Sequence, residues 1–192
     1  MSRVIATTER LRLYTWDEER WSEFVRLTNN PDVMRWLGGV SSPEQMAAAR
    51  SRLDSYQADH GFTFWALERR SDDAMLGFCG LKRGNAPGAE ELHGEVEIGW
   101  RLREDAWGQG YAREAATTCL DLAFERFGAE RVVAFTAAGN LRSQGLMKRL
   151  GMRHWPEHDY LDQRFPADAP PNPQLTFVID AGEWRDQRAR RR

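Results

Sequence analysis

The segment from Glu95 to Phe127 constrains the fold more than any other part of the chain. Apolar and polar residues alternate along residues 95–102 (EVEIGWRL), which predicts a strand with one buried face. A glycine turn then ends this pattern at residues 107–112 (WGQGYA). Apolar residues recur at helical spacing from Ala112 to Phe127, which predicts a helix that begins directly after the turn. The segment is therefore predicted to run strand, glycine turn, helix.

The glycine turn has the properties of an anion site. The first N–H groups of a helix have no partners within the helix, and the positive end of the helix dipole lies at the same place. Gly108 and Gly110, followed by the small Ala112, let a bulky group approach the backbone. A phosphate is the ligand that such a helix start suits best. Two glycines alone are more typical of an ordinary tight turn, so the rest of the chain must decide between the two interpretations.

Composition limits the class of protein without fixing it. A chain of 192 residues has room for one sizeable core, so we predict a single domain over residues 1–192. A formal net charge of −2 argues against a general nucleic-acid binder, and the arginines from about residue 185 onward predict a frayed, solvated tail. The sequence shows no signal-peptide pattern and no long apolar run, so we expect a cytoplasmic protein that does not interact with membranes.

Cysteine and tryptophan content adds three further expectations. Cys79 and Cys119 each lie in an apolar stretch, which predicts two small core residues in a reducing compartment. No metal site is expected, because the sequence has neither paired CxxC motifs nor two histidines at helical spacing. The eight tryptophans fit either a monomer with one aromatic core or a homodimer, so the oligomeric state stays open.

The remaining elements follow in a mixed order. Strands are predicted at about residues 8–16, 62–67, 75–81, 95–102, 131–137 and 175–179, with a return to the sheet between 152 and 160. Helices are predicted at about residues 17–28, 43–60, 112–127 and 141–150, the last capped by Asn140. A β-hairpin precedes the glycine turn where a Rossmann protein would have βαβ units, and no Gly-x-Gly-x-x-Gly occurs, which argues against a dinucleotide-binding fold.

The order strand, WGQGYA, helix, strand, Asn-x-x-Ser, helix, Leu-Gly-Met resembles the Gcn5-related N-acetyltransferase (GNAT) superfamily, in particular its ribosomal-protein N-terminal (alanine) acetyltransferase branch. WGQGYAREA and NLRSQGLMKRLGM are the most specific motifs, and TERLRL, FWALE, LGFCGL, EIGW and LTFVID stand in the same order. The resemblance thus spans nearly the whole chain. It implies an α+β fold, with a mixed, mostly antiparallel sheet of six to seven strands and helices on both faces. The sheet would be splayed between its fourth and fifth strands, residues 95–102 and 131–137.

The resemblance also implies acetyl-coenzyme A in that splay and no metal. The backbone of Trp100 and Leu102 would pair with the pantetheine arm, and Asn140 and Ser143 would contact the same arm. Asn140 is equally readable as a plain helix cap. One departure is Trp107, where the superfamily commonly has Gln or Arg. The pyrophosphate would lie on the turn and the first helical residues, namely Trp107, Gly108, Gln109, Gly110, Tyr111, Ala112 and Arg113.

The implied activity is transfer of an acetyl group from acetyl-CoA to a primary amine by direct attack in a ternary complex. This reaction needs a base for the amine, dipoles for the developing oxyanion and a proton donor for the thiolate. Glu97 and Glu95 on the open strand are the candidate bases, and His93 is a weaker third. Many relatives have a tyrosine as proton donor where this chain has Met147. Ser143 resembles the serine proposed as donor in the N-terminal acetyltransferase branch. Solvated glutamates and a first-turn helix serine are the ordinary structural alternatives.

The acceptor amine is expected to approach over Asp32–Gly39, Arg83–His93 and His154–Asp168. Trp36 and Trp155 in these segments fit core packing better than a substrate platform. A non-catalytic acyl-CoA sensor is the alternative function, which the missing tyrosine favours. The acidic residues of this region suit a cationic amine, such as a protein N-terminus, a polyamine or an aminoglycoside, and equally suit a solvated surface: Glu90, Glu91, Glu95, Glu97, Glu157 and Asp159.

Overall fold

The computed structural model describes residues 2–190. The strands are β1 (Val4–Thr7), β2 (Leu11–Tyr14), β3 (Phe64–Arg69), β4 (Met75–Arg83), β5 (Val96–Leu102), β6 (Arg131–Ala137), β7 (Arg153–His154) and β8 (Gln174–Asp180). The helices are α1 (Glu18–Thr28), α2 (Pro31–Met34), α3 (Pro43–His60), α4 (Tyr111–Asp121), α5 (Leu141–Arg149) and α6 (Ala181–Ala189). α4 continues into a wider π-type turn at Leu122–Arg126, and short 3₁₀ turns occupy Glu90–Leu92, Glu104–Ala106 and Pro156–His158.

The strands form one mixed sheet in the order β1-β2-β3-β4-β5-β6-β8-β7, and this architecture confirms the predicted fold class. Neighbouring strands are antiparallel except β5 and β6. The sheet has eight strands where six to seven were predicted. One reason is that Thr8 Oγ1 accepts a hydrogen bond from Leu11 N at 2.9 Å and closes a turn, which makes the first predicted strand a hairpin of two.

Helices cover both faces of the sheet. α4, α5 and α6 pack on one face, where Cys79 and Cys119 are fully buried with their Sγ atoms 3.7 Å apart, as expected for core residues. Burial raises the pKa of the Cys119 thiol well above its ordinary value. α1 and α3 pack on the other face over a smaller aromatic core that includes Trp21 and Phe24. The alternation of side chains along each strand therefore divides the core into two layers.

The sheet opens between β5 and β6. These parallel strands pair only at Val96–Val132 and Glu97–Val133 and then separate. β4 stays paired with β5 as far as Leu102, and β8 stays paired with β6 as far as Ala137. Each arm of this splay therefore keeps one antiparallel partner and presents an unpaired edge to the other arm. The position of the splay is the one that the resemblance implied.

The C-terminal helix corrects one prediction. Asp180 and Glu183 form a capping box that starts α6, and Trp184 is buried with its Nε1 donating to Asp121 Oδ1 at 2.9 Å. Arg188 Nη2 lies 3.1 Å from Asp121 Oδ2. The expectation of a frayed tail from about residue 185 is therefore wrong for residues 185–189, while Arg191 and Arg192 lie outside the described residues.

Among residues 2–190, no helix combines the length and apolar character that a membrane crossing requires.

Candidate active site

The glycine turn has the backbone that only glycine adopts easily. Gly108 and Gly110 have φ angles of +74° and +82°, and Gly110 is the N-cap of α4 without a side-chain capping bond. A Cβ added at Gly108 would meet no atom within 4 Å, so the space in front of this residue is open. The glycine is therefore needed for backbone conformation and for free access to the turn, rather than for packing against the protein.

The turn presents a row of free donors. Trp107 N donates to Glu104 O, and Glu114 N donates to Gly110 O. Between them, the backbone N–H groups of residues 108–113 donate to no other group in the described chain. These donors lie at the positive end of the α4 dipole, and the exposed Arg113 adds a formal charge. A pyrophosphate fits this arrangement, because it supplies acceptors and negative charge together.

Long-range contacts that the sequence reasoning missed fix the turn in place. Glu114 in the first turn of α4 accepts hydrogen bonds from Thr8 Oγ1, from Arg10 N at 2.8 Å and from Arg10 Nε at 2.6 Å. Arg10 Nη1 in turn donates to Gln109 O at 3.0 Å. Burial alone would raise the pKa of Glu114, but the hydrogen bonds from Thr8 and Arg10 outweigh it and lower this pKa. The β1–β2 hairpin thus anchors the loop between Gly108 and Gly110.

The side chain of Trp107 joins the turn to both arms of the splay. Its Nε1 donates to Leu102 O at 2.9 Å, and the Arg142 guanidinium lies 4.7 Å from its ring centre. Leu102 O therefore already accepts one hydrogen bond, and a ligand that pairs with it would have to share this oxygen with Trp107. Arg103 N donates to Leu76 O on β4, so by antiparallel alternation the backbone groups of Trp100 and Leu102 point toward the splay.

Asn140 and Ser143 lie at the start of α5 on the opposite arm. Asn140 Oδ1 accepts from Ser143 N at 3.2 Å, which confirms the predicted cap. Its amide nitrogen donates to no group within residues 2–190, so both of its N–H donors remain for a ligand. Ser143 Oγ accepts from Trp100 Nε1 at 3.1 Å, a bond that spans the splay and that the sequence did not predict. Met147, at the place of the expected tyrosine, is buried in the core.

The three candidate bases occupy different environments. Glu97 is the last residue of β5 that pairs with β6, and its side chain is 13% exposed. Its Oε2 lies 2.7 Å from Lys82 Nζ, in an ion pair rather than an aligned hydrogen bond. Glu95 precedes the paired positions and lies 3.9 Å from Arg131. His93 is exposed in a loop, with Nε2 3.0 Å from Ala86 O. Only Glu97 therefore lies at the point where the strands separate.

Aromatic residues from two distant segments meet beside β6, in the region where the acceptor was expected. The Tyr160 ring meets the Phe135 ring of β6 edge-on at 5.3 Å. Burial raises the pKa of Tyr160 well above its ordinary value, and the charges of Glu97 and Asp162 act in the same direction, so the phenol stays protonated.

The two tryptophans of the expected acceptor segments lie at opposite ends of the splay. The Trp36 ring lies 2.5 Å from where a Cβ of Gly139 would be, beyond the end of β6. Gln163 N donates to Pro87 O, which joins the loops around residues 84–94 and 160–165. Trp155 packs on His158 at 3.9 Å and lies 5.6 Å from the Arg131 guanidinium, beside the closed end of the splay. Trp36 thus lines the open end, and Trp155 does not.

Comparison with known proteins assigns the chain to a family. Residues 10–153 match the family model for the acetyltransferase (GNAT) domain. The chain is 30% identical over 148 residues to YkkB of Bacillus subtilis (strain 168), an uncharacterized protein, covering 77% of this chain and 84% of YkkB. The chain belongs to the acetyltransferase (GNAT) family. It is an acyltransferase enzyme of the N-acetyltransferase kind, and enzymes of this family use acetyl-CoA.

Two solved structures share the fold. Spermidine N-acetyltransferase from Vibrio cholerae, in complex with CoA and spermine, superposes with a TM-score of 0.71 at 15% identity over 92% of this chain and 99% of that one. Ribosomal-protein-S5-alanine acetyltransferase from Vibrio fischeri superposes with a TM-score of 0.71 at 13% identity over 93% of this chain and 97% of that one. The two proteins are named for different acceptors, so the shared fold does not choose the acceptor of this chain.

Proposed function

We propose that this enzyme transfers the acetyl group of acetyl-CoA to a primary amine by direct attack within a ternary complex. The splay between β5 and β6 is the observation that carries the proposal. Free N–H groups at residues 108–113 lie along one side of it, and the carboxylate of Glu97 lies at its apex. When bound, acetyl-CoA supplies the acyl group as a thioester, and the protein supplies position and proton transfer.

On the cofactor side, the residues expected from the sequence have free groups to offer. The N–H groups of residues 108–113 would hold the pyrophosphate, with Arg113 beside them. The backbone of Trp100, the N–H of Leu102 and the amide nitrogen of Asn140 would hold the pantetheine arm. Leu102 O already accepts a hydrogen bond from Trp107, so the N–H is the better candidate of the two backbone groups. Every group in this set lies on an edge or helix end that faces the opening.

Glu97 is the proposed base. An amine nucleophile must lose a proton, and a carboxylate held at the apex can accept it directly or through a water molecule. Lys82 fixes the orientation of this carboxylate through the 2.7 Å ion pair. Glu95 is retained as the second candidate, but its neighbour Arg131 lies at the closed end of the splay. The position of Glu97 therefore supports it over Glu95.

Ser143 is the proposed proton donor to the departing thiolate. Its oxygen already accepts a hydrogen bond from Trp100 Nε1, so its own proton is free to be donated. Ser143→Ala is expected to lower kcat by about tenfold, because a thiolate is a fair leaving group and needs little assistance. Ser143→Thr and Trp100→Phe are the controls, since the first keeps the hydroxyl and the second removes only its partner. An unchanged kcat in Ser143→Ala would leave the serine with a structural role alone.

Thiol release is the experiment that tests the proposed function. Purified protein is incubated with acetyl-CoA and a panel of primary amines that includes a polyamine, an aminoglycoside and a peptide beginning with alanine. We expect release of coenzyme A that depends on one class of amine, with the acetylated product identified by mass. The alanine peptide tests the ribosomal-protein branch directly. Tight binding of acetyl-CoA without turnover of any amine would contradict the proposal and favour the acyl-CoA sensor.

A further inference from the structure

Arg101 is a cation without a counter-ion. It lies on β5, and none of the carboxylates in residues 2–190 forms an ion pair with it. Its guanidinium lies over the Phe24 and Phe78 rings, at 4.5 Å and 5.3 Å from their centres. Nη1 contacts Met34 Sδ at 2.7 Å, and Nε is screened from solvent with no hydrogen-bond partner. Burial lowers the pKa of Arg101 to about 10, so it remains charged at neutral pH.

Two other partly buried arginines show that this chain supplies carboxylates where a guanidinium is held in place. Arg20 pairs with Glu68 at 2.6 Å, and Arg103, two residues beyond Arg101, pairs with Asp105. A buried charge without a partner is costly to keep in the folded state. A thioether sulfur is a weak acceptor and does not offset that cost. The missing counter-ion is therefore explained most simply by a ligand that supplies it.

Arg101 lies on the acceptor side of the splay. Side chains of alternate residues share a face, so Arg101 projects from the same face of β5 as Glu97, about 13 Å further along the strand. Between them, the Phe64 ring lies 2.7 Å from where a Cβ of Gly99 would be, and it forms an apolar floor. Glu97 and Arg101 therefore lie on one face of β5, with the Phe64 ring between them.

The unpaired edge of the Arg101 guanidinium carries two parallel N–H donors. With Nη1 against Met34, the remaining donors are Nε and Nη2, which point in parallel from one side of the group. Two parallel N–H donors match the two oxygens of a carboxylate. Because Nε has no exposed surface, neighbouring side chains must shift before a ligand can reach this edge.

We propose that Arg101 binds a carboxylate of the acceptor, so that the acceptor class is a primary amine that also carries an acid group. The distance between Arg101 and Glu97 suits an ω-amino acid or a short peptide with a free C-terminus better than an α-amino acid. The inference rests on the proposed function, since it names the substrate class of the same site. It disfavours a polyamine, which has no acid group for Arg101 to bind.

Paired acceptors test the inference by activity. Each ω-amino acid or dipeptide is compared with its C-terminal amide and with a diamine of similar length. For the wild-type enzyme we expect kcat/KM to favour the acid by at least about tenfold over the amide. Arg101→Met is expected to remove this preference through a higher KM for the acid and to leave the amide unaffected, while Arg101→Lys keeps part of it. Equal use of acid and amide by the wild type would overturn the inference.

Thermal melting gives a second readout that does not depend on turnover. Arg101→Met is expected to melt at least about 2 °C higher than the wild type, because an uncompensated charge is replaced by an apolar side chain of similar length. The N-acetylated acid product should stabilise the wild type and not Arg101→Met, whereas its amide should stabilise neither. A lower melting temperature for both Arg101→Met and Arg101→Lys, with product binding unchanged, would show that Arg101 is structural.

The two proposals fail in different ways. If no amine is acetylated although acetyl-CoA binds, the proposed function fails, and product binding in the melting experiment still decides the role of Arg101. If amides and diamines are acetylated at the same rate as acids, and Arg101→Met behaves as wild type, the proposed function is supported. The carboxylate site is then overturned.

Discussion

Gly110→Glu is expected to abolish the stabilisation of this protein by acetyl-CoA. In the wild type, acetyl-CoA at a hundredfold excess over its Kd should raise the melting temperature by about 5 to 10 °C. The variant places a carboxylate at the start of α4, beside the N–H groups of residues 108–113, where the pyrophosphate is expected. A fixed negative charge there competes for the same donors and repels the ligand. Scanning fluorimetry with and without acetyl-CoA measures both values.

The matched control is Gly128→Glu. Gly128 has a φ angle of +65° and open space around its Cβ position, so the substitution imposes the same added charge and a similar backbone strain away from the turn. Both variants should melt below the wild type without ligand, because a glutamate is strained at a positive φ. Only Gly110→Glu should lose the response to acetyl-CoA. A normal response in Gly110→Glu would rule out the turn as the phosphate site.

Glu97→Gln is expected to lower kcat by about 10²- to 10⁴-fold, the range typical of a lost general base. Glutamine has nearly the shape of glutamate but cannot accept the proton of the amine. Because Glu97 lies at the apex and not on the turn, the affinity for acetyl-CoA should stay within about twofold of wild type. Steady-state kinetics on an acceptor from the thiol-release panel, together with the melting response, separate the two effects.

Glu95→Gln is the control for this variant. It removes the same charge two residues earlier in the chain, just before β5, where the carboxylate faces Arg131. This variant should change kcat by less than about threefold. Lys82→Met is a useful third variant, since it leaves Glu97 without its ion-pair partner and tests how far that partner orients the carboxylate. A larger loss in Glu95→Gln than in Glu97→Gln would reverse the assignment of the base.

Local signals in the sequence were enough for most of the fold. Period-two alternation, the glycine turn and the capping residues are each encoded within a few neighbouring positions, so the strand ending at Leu102, the turn at Gly108–Gly110 and the cap at Asn140 could all be read from the chain. The resemblance added the order of strands and the position of the splay, which no local pattern encodes. These parts of the prediction agree with the structure because they rest on short-range physics or on a whole-chain motif order.

Contacts between distant segments were not predictable in this way. The Arg10–Glu114 pair joins residues 104 positions apart, and neither side chain carries a local signature. The same holds for the Trp100–Ser143 bond across the splay. α6 was missed because its arginines suggested a solvated tail, while the buried Trp184 that holds it down was given no weight. The lack of an ion-pair partner for Arg101 depends on every residue packed around it, so no local sequence pattern could predict it.

The splay also affects how far the strand edges of the sheet are exposed to other chains. Exposed strand edges are templates on which other strands add, and they promote aggregation unless they are protected. Here the two unpaired edges face each other across the splay, which is bridged by the hydrogen bond between Trp100 and Ser143. The splay therefore turns both unpaired edges toward each other and not toward other chains.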